Sequence, residues 1–284
     1  FLGTHLIEHL LDKKIPVLCL DREGCDSSFL EGLGVSVAPC DVMNPETVAP
    51  HIEPGDWVYH LPAYLGKAKV TAQEYWALNV ESAEAICQLA IEKKAEKFIF
   101  PSSMAAMGPV GTPENPMNEQ TECRPATLYG RTKLEAENRI AALAEGKIDC
   151  IILRPPPFFG PRMNPITSSY ILFDKMRSKT LALIGDTKNY FPLCYVKNLA
   201  AAMVDLAASE VGQKQAPGVR CYLVSDGEPV TFHSILMILR EKIGKNKRII
   251  HVPYAVAIGL ARISEFFGKV FRFTPLLTTD IVDG

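Results

Sequence analysis

No excess of basic charge marks this chain. Its 284 residues carry 30 Lys+Arg against 32 Asp+Glu, a formal net charge of −2. That balance excludes the broad cationic surface a nucleic-acid binder needs. The densest basic stretch, Lys242 to Arg248, reads as a solvated helix end and turn. The opening residues do not form a signal peptide, and no N-x-S/T sequon with an allowed middle residue occurs. The eight cysteines contain no C-x-x-C pair, which excludes a zinc ribbon and a thioredoxin motif. Cys19, Cys150 and Cys221 lie inside apolar runs, where a thiol acts as a small hydrophobe, and a reducing, cytoplasmic compartment is expected. The apolar stretch Val252 to Phe271 is broken by Arg262, Glu265 and Lys269, too charged for a simple membrane span. Internal repeats and low-complexity segments are missing as well.

What is present is 48% apolar and 22% charged residues, the composition of a soluble globular protein long enough for one large domain or two small ones. Helical and strand patterns alternate. Gly3 to Lys14 reads as a helix, with Leu2, Leu6, Leu10 and Ile7, Leu11 as its apolar stripe. Ile15 to Leu20, Val35 to Ala38, Trp57 to Leu61, Phe98 to Phe100 and Cys150 to Leu153 read as short apolar strands. Between them Glu74 to Lys94 and Thr127 to Ala144 read as amphipathic helices. Short apolar strands between such helices predict a parallel sheet covered on both faces, an α/β fold. The rhythm changes after Arg154, because Pro155-Pro156-Pro157 cannot form a central strand. Beyond it Leu181 to Ile184 and Cys221 to Val224 read as strands and Val196 to Ala208 as a helix. Thr231 caps a helix to Ile243, with Gly244 just past its end. Because Phe1-Leu2-Gly3 already lies inside a helical pattern, an N-terminally truncated chain is expected.

Tyr129-Gly130-Arg131-Thr132-Lys133 carries the chemistry. Residues four apart share a helix face, so the Lys133 ammonium lies near the Tyr129 hydroxyl. A phenol has a pKa of about 10, and a nearby cation favours its phenolate, which makes a usable acid/base. Ser102-Ser103 ends a strand, and in an open parallel sheet ligands sit beyond the carboxyl ends of strands. A Ser103 hydroxyl there converges with Tyr129 and Lys133 on one carbonyl or alcohol; the alternative is a helix or turn cap. Asp21 also ends a strand, where a carboxylate accepts from a ribose 2′-OH and repels a 2′-phosphate, or serves as an ordinary turn residue.

These stretches, with Gly3-Thr4-His5-Leu6, Asp41-Val42, Val58 to Leu61, Leu153-Arg154-Pro155, Gly160-Pro161-Arg162, Tyr195 to Ala200 and Val224 to Pro229, resemble the extended short-chain dehydrogenase/reductase family, in its order and along nearly the whole chain. The resemblance implies a Rossmann-type doubly wound parallel sheet over 1–153 and 190–224, and a smaller mixed substrate-binding region over 154–189 and 225–284. It implies NAD as cofactor, with NADP as the alternative. Gly3 resembles the last glycine of the fingerprint T-G-x-x-G-x-x-G, leaving the first strand and most of the glycine loop outside the sequence. Gly32 and Gly34 precede a strand, with Val37 where a third glycine is needed, and are no phosphate loop. Arg22 beside Asp21 stacks on adenine or pairs with a phosphate, and Asp41 with the Val42 backbone contacts adenine. Leu61 and Ala63 lie beside the cofactor in the strand end His60 to Ala63, where Pro62 departs from the family pattern; Pro156 is a further contact.

The same resemblance implies Tyr129 as proton donor or acceptor, Lys133 lowering its pKa and binding the nicotinamide ribose, and Ser103 orienting the substrate oxygen. His5-Leu6-Ile7-Glu8-His9 matches H-x-x-E-H, but a helix that follows the glycine loop makes these surface positions, and no metal is expected. Pro157 stands where nucleotide-sugar members carry an Asn that holds substrate phosphates. Phe158, Phe159, Met104 and Met107 line an apolar pocket or pack the core. The apolar stretch from Val252 resembles the branch containing 3β-hydroxysteroid dehydrogenases and forms a lid, a dimer surface or an interfacial helix. The expected activity is therefore alcohol–ketone interconversion on a steroid-like or long-chain substrate. The rivals are a nucleotide-sugar epimerase or dehydratase and a non-catalytic NAD(P)-binding regulator. Expected partners are a small-molecule substrate, a second copy in a homodimer and a membrane surface, with no nucleic acid.

Overall fold

The computed structural model describes residues 1–65, 70–112, 114–165, 167–175, 180–184, 190–209, 217–227, 230–243 and 248–271. Gly244 and the motif residues Glu228 and Pro229 lie outside them. The chain divides into two compact units, Phe1–Thr167 with Leu193–Gly227, and Ser168–Pro192 with Glu228–Gly284.

The first unit opens with α1 (Leu2–Asp12), β1 (Leu18–Asp21), α2 (Ser28–Gly32), β2 (Ser36–Pro39), α3 (Pro45–Val48) and β3 (Trp57–Tyr59). Next comes α4 (Ala72–Trp76), started by a capping box in which Thr71 Oγ1 accepts from the Glu74 amide and the Glu74 carboxylate accepts from the Thr71 amide. The long helix expected from Glu74 to Lys94 is not uninterrupted. A π turn, Ala77–Glu81, separates α4 from α5 (Ser82–Glu92), an insertion that periodicity over a longer window does not resolve. Then follow β4 (Lys97–Pro101), α6 (Leu128–Ala144), β5 (Asp149–Arg154) and the two-residue β6 (Phe158–Phe159).

The second unit takes α7 (Ser168–Lys175) and β7 (Thr180–Ile184), the first unit takes β8 (Cys194–Tyr195), α8 (Val196–Ala208) and β9 (Val219–Leu223), and the second closes with α9 (Phe232–Ile243), β10 (Arg248–Val252) and α10 (Tyr254–Phe271).

Every named strand pair is parallel, as short apolar strands between helices require. In the first unit β3-β4-β5-β9 form a four-stranded sheet, β1 pairs with β2, and β6 with β8. One face of the four-stranded sheet packs Phe98, Phe100, Cys150 and Ile152 against α5 and α6; the other packs Ile99, Ile151 and Leu153 against α1 and α8. Alternate residues of β4 therefore serve opposite layers, which explains why Phe98, Ile99 and Phe100 are apolar in an unbroken run. In the second unit β7 pairs with β10, and Leu183 packs on Leu236. There α10 buries Ala257 and Ala261 and leaves Val256, Leu260 and Ile263 exposed. Among the described residues no helix is long and apolar enough to cross a membrane. All eight cysteines are free thiols.

Candidate active site

Ser103 lies just past the carboxyl end of β4 with its side chain against that of Tyr129, and Lys133 lies one turn further along α6. The chain leaves the sheet where the Ser102 amide donates to Leu153 O at 2.7 Å and the Met104 amide to Pro155 O at 2.9 Å, tying the ends of β4 and β5 together. Ser103 caps a short 3₁₀ turn, its Oγ accepting from the Ala105 amide at 3.1 Å, and it also hydrogen-bonds the Tyr129 side chain. The cap, one of the two alternatives in the sequence, is made. Helix α6 starts at Thr127, whose Oγ1 accepts from the Gly130 amide at 3.0 Å. Gly130 is required here: a Cβ would lie 2.2 Å from Ala105 O, so any other residue would push the Tyr129 turn away from Ser103.

Lys133 is buried, with its Nζ 4.1 Å from the centroid of the Phe100 ring. Burial pushes it down to about 7 against the opposing charge of Glu137 one turn on. Glu137 is itself held by a buried fork from Arg154 at the end of β5, with Nη2–Oε2 at 2.6 Å and Nε at 3.1 Å from each oxygen. Burial pushes the Tyr129 phenol up to about 12, although its bond to Ser103 pulls the other way. In this structure the phenol thus sits above its ordinary value, because loss of water outweighs the stabilisation its neighbours offer. Nearby, His60 is pushed down to about 3 by burial and by Lys133. Its Nε2, Ser102 Oγ and Tyr59 OH are buried without a hydrogen-bond partner.

Asn79 is a residue the sequence reading missed. The π turn carries it inward, where its Oδ1 accepts from the Tyr64 amide at 2.7 Å and its Nδ2 donates to Tyr64 O at 3.0 Å. The same Nδ2 donates to Thr132 Oγ1 at 3.1 Å, and that hydroxyl donates to Tyr129 O at 2.8 Å. Asn79 so ties the loop containing Ala63 to the Tyr129 turn. A polar residue between Leu78 and Val80 in an apolar helical stretch is the signal that points to it.

The other expected cofactor residues form a second group. The Cys40 amide donates to Asp21 O at 2.8 Å, which brings the ends of β1 and β2, and with them Asp21, Arg22, Asp41 and Val42, together. Asp21 Oδ1 accepts from the Arg22 amide at 2.7 Å, and the carboxylate is exposed. Asp41 Oδ1 accepts from the Met43 amide at 2.9 Å, and Val42 packs on the core. At Gly3 a Cβ would stand 3.2 Å from Leu61 Cδ1, so the first turn of α1 approaches the end of β3 closely. Pro156 is buried behind β5. Phe158 stacks on Phe1, Phe159 leans on Tyr195, and Met107 is wholly buried, so these side chains pack within the unit. His5, expected at the surface, is buried: it accepts at Nδ1 from Arg162 and hydrogen-bonds Pro161 O through Nε2, while His9 lies 3.8 Å from Asp205, so the two imidazoles serve separate contacts. Among the described residues no cluster of three or more His, Cys, Asp or Glu could hold a metal ion.

A parallel α/β sheet covered by helices on both faces, with polar side chains beyond its strand ends, defines a Rossmann-type fold of the kind that binds dinucleotides. The comparisons are specific about which. The model of the NAD dependent epimerase/dehydratase family matches residues 1–217, and the chain belongs to that family, of the extended short-chain dehydrogenase type, with NAD as cofactor. It is 25% identical to a 4-hydroxy-2-methyl-3-oxo-4-farnesyl-3,4-dihydroquinoline-1-oxide ketoreductase of Stigmatella aurantiaca, over 93% of this chain and 77% of that protein. It is 26% identical to the sterol demethylase protein B of Methylococcus capsulatus, over 98% and 81%. Among solved structures, gox2253 superposes with a TM-score of 0.80 at 20% identity, over 100% of this chain and 84% of that one. The UDP-glucose 4-epimerase of Thermus thermophilus, in complex with NAD, gives 0.72 at 22% identity, over 89% and 83%. At such identities the structures establish the fold.

Proposed function

We propose that the chain interconverts an alcohol and a ketone on an apolar substrate, with Tyr129 as acid/base, Ser103 orienting the substrate oxygen and Lys133 holding the nicotinamide ribose. The observation that carries this reading is the Ser103–Tyr129 hydrogen bond at the end of β4, one helical turn from a buried lysine. The residues present fit a dinucleotide: Gly3 close on Leu61, an exposed Asp21 carboxylate at a strand end, an unpartnered His60 nitrogen near Lys133 and an unpartnered Ser102 hydroxyl just past β4. When bound, NAD supplies the hydride acceptor or, reduced, the donor. Lys133 hydrogen-bonded to ribose hydroxyls would hold its proton more firmly, since bonds to the charged form raise an amine's pKa. A full cation one turn from Tyr129 would draw the phenol down from about 12 toward values where it exchanges a proton near neutral pH. Ser103 keeps that phenol pointed at the substrate oxygen.

The substrate class rests on the names of the relatives, one a ketoreductase of a farnesylated quinoline oxide and one a sterol protein. Pro157 agrees, because its side chain offers no hydrogen bond to a sugar nucleotide's phosphates. Asp21 supports NAD over NADP by repelling a 2′-phosphate. The exposed apolar stripe of α10 supports a subunit-pairing or membrane-facing surface. Cysteine spacing supports a reducing compartment. The second reading, a nucleotide-sugar epimerase or dehydratase, is favoured by the family's name and uses the same three residues; an intact Ser103, Tyr129 and Lys133 argue against a regulator without turnover. Following NADH absorbance with a panel of steroid and long-chain ketones and alcohols, beside a coupled UDP-sugar epimerisation assay, tests the proposal. Turnover in the apolar panel is expected; turnover confined to UDP-sugars overturns it.

A further inference from the structure

Arg162 stands apart from the Ser/Tyr/Lys group and makes more side-chain contacts than a loop arginine requires. Its Nη2 donates to His5 Nδ1 at 2.9 Å and to Glu8 Oε2 at 2.6 Å, and its Nε donates to Thr4 Oγ1 at 3.2 Å. Its guanidinium carbon lies 4.4 Å from the ring centroid of Phe29 on α2. The arginine thus grips three positions in the first turns of α1 from a segment about 160 residues away in sequence. His5 completes the clasp from the other side: its Nε2 is 2.9 Å from Pro161 O. A guanidinium only donates and a carbonyl only accepts, so the ring accepts from Arg162 at Nδ1 and donates to Pro161 O at Nε2, and Glu8 Oε2 lies 3.1 Å from the same Nδ1.

The backbone confirms that this placement is imposed. Arg162 has φ 62°, a left-handed conformation that disfavours any side chain, and Gly160 just before it leaves no room for a Cβ, which would lie 2.5 Å from Val196 Cγ1. Phe158 stacks on Phe1 at 5.5 Å. Burial works to raise the Glu8 carboxyl, but the hydrogen bond and charge of Arg162 outweigh it and hold the group below its ordinary value.

We propose that Arg162 is a positioning residue for the dinucleotide: it fixes the start of α1 against segment 158–162, so that Gly3, Leu61 and Asp21 present one preformed surface to the adenosine diphosphate half of NAD. This rests on the assignment of Gly3 and Asp21 to that half. Arg162 contacts none of Ser103, Tyr129 and Lys133 in the hydrogen bonds above, so its effect falls on cofactor affinity and leaves the chemical step alone. Preorganisation of this kind acts by reducing the ordering that binding would otherwise require.

The test is NADH titration by fluorescence, with steady-state kinetics on an apolar ketone, for the full-length protein and its Arg162→Met, Arg162→Lys and Glu8→Gln variants. Arg162→Met is expected to raise Kd and KM for NADH about ten-fold with kcat changed less than about two-fold. Arg162→Lys is expected to rescue little, because one ammonium cannot reproduce the fork that spans Thr4, His5 and Glu8. Glu8→Gln, which keeps the arginine and its fold, shifts Kd in the same direction by less. Unchanged NADH binding in both Arg162→Met and Glu8→Gln, or a fall in kcat as large as the rise in KM, overturns the proposal. If the unsubstituted protein fails to bind NADH, the assignment of the dinucleotide site itself falls, a result distinct from a silent Arg162 variant.

Discussion

Two corners of the first unit treat their polar atoms in opposite ways. Beside α1, the guanidinium of Arg162, both nitrogens of His5 and the carboxylate of Glu8 use one another up. Beyond the ends of β3 and β4, His60 Nε2, Ser102 Oγ and Tyr59 OH have no partner, and Lys133 rests on an aromatic face. A buried polar group left unmatched costs about 1–3 kcal/mol. The satisfied corner therefore supports the fold, whereas the unsatisfied one gives up stability. Arg154 and Glu137 belong with the satisfied group although Glu137 lies one turn from the buried Lys133 and acts on its charge.

The comparison breaks most sharply at Tyr129. Tyr129→Phe deletes a reacting group and no structural partner except Ser103, so turnover is expected to fall about 10²- to 10⁴-fold while NADH affinity changes little; near-normal turnover would mean that another residue moves the proton. In the satisfied group, Glu137→Gln leaves Arg154 as an uncompensated buried charge, and unfolding by urea is expected to show a loss of about 3–5 kcal/mol. Adding Arg154→Met should restore most of it, and a loss unchanged in the double variant would show that the pair is not the cause.

Lys133 offers a test by pH. In the folded protein it titrates at about 7, in the unfolded chain at about 10.4. Between those values the unfolded chain binds the extra proton, so stability rises with pH across that window and this contribution is flat below it. The slope is at most about 1.4 kcal/mol per pH unit. Lys133→Met should flatten the profile measured by denaturation at intervals through the window; equal slopes in the two proteins would place the titration elsewhere.

The smallest effect sharpens the unsatisfied corner. His60→Leu removes an unmatched buried nitrogen and is expected to raise stability by about 1 kcal/mol while weakening NADH binding. Destabilisation in thermal melts would show that the imidazole already has a partner.

The strands at the sheet's centre and the Tyr129 helix were legible because their signals are local: apolar runs of a few residues, a Thr127 cap, and two side chains four apart. Asp149–Arg154 and Leu128–Ala144 lie within a residue or two of the expected limits. The two-residue pairing of β6 with β8 was not, since two residues carry no periodicity. The strand Arg248–Val252 was missed too, its apolar stretch continuing directly into α10. Side-chain charge states were the least legible. Four-residue spacing places Lys133 near Tyr129, but only burial reveals that the lysine is weakened and the phenol raised.

The π turn at Ala77–Glu81 sets a constraint on how this chain can vary in length. Each helical residue turns the chain by about 100°, so one surplus residue puts α4 and α5 out of phase by that angle. Deleting a single residue there would regularise the helix and make it a better helix in isolation. It would also swing everything upstream around the axis, carrying Tyr75 away from its hydrogen bond to Leu65 O and Asn79 away from Tyr64 and Thr132. The irregularity works as a phase marker: sequence can be exchanged on either side of it, but the count of residues through it cannot change without uncoupling the loop beside Ala63 from the turn that carries Tyr129.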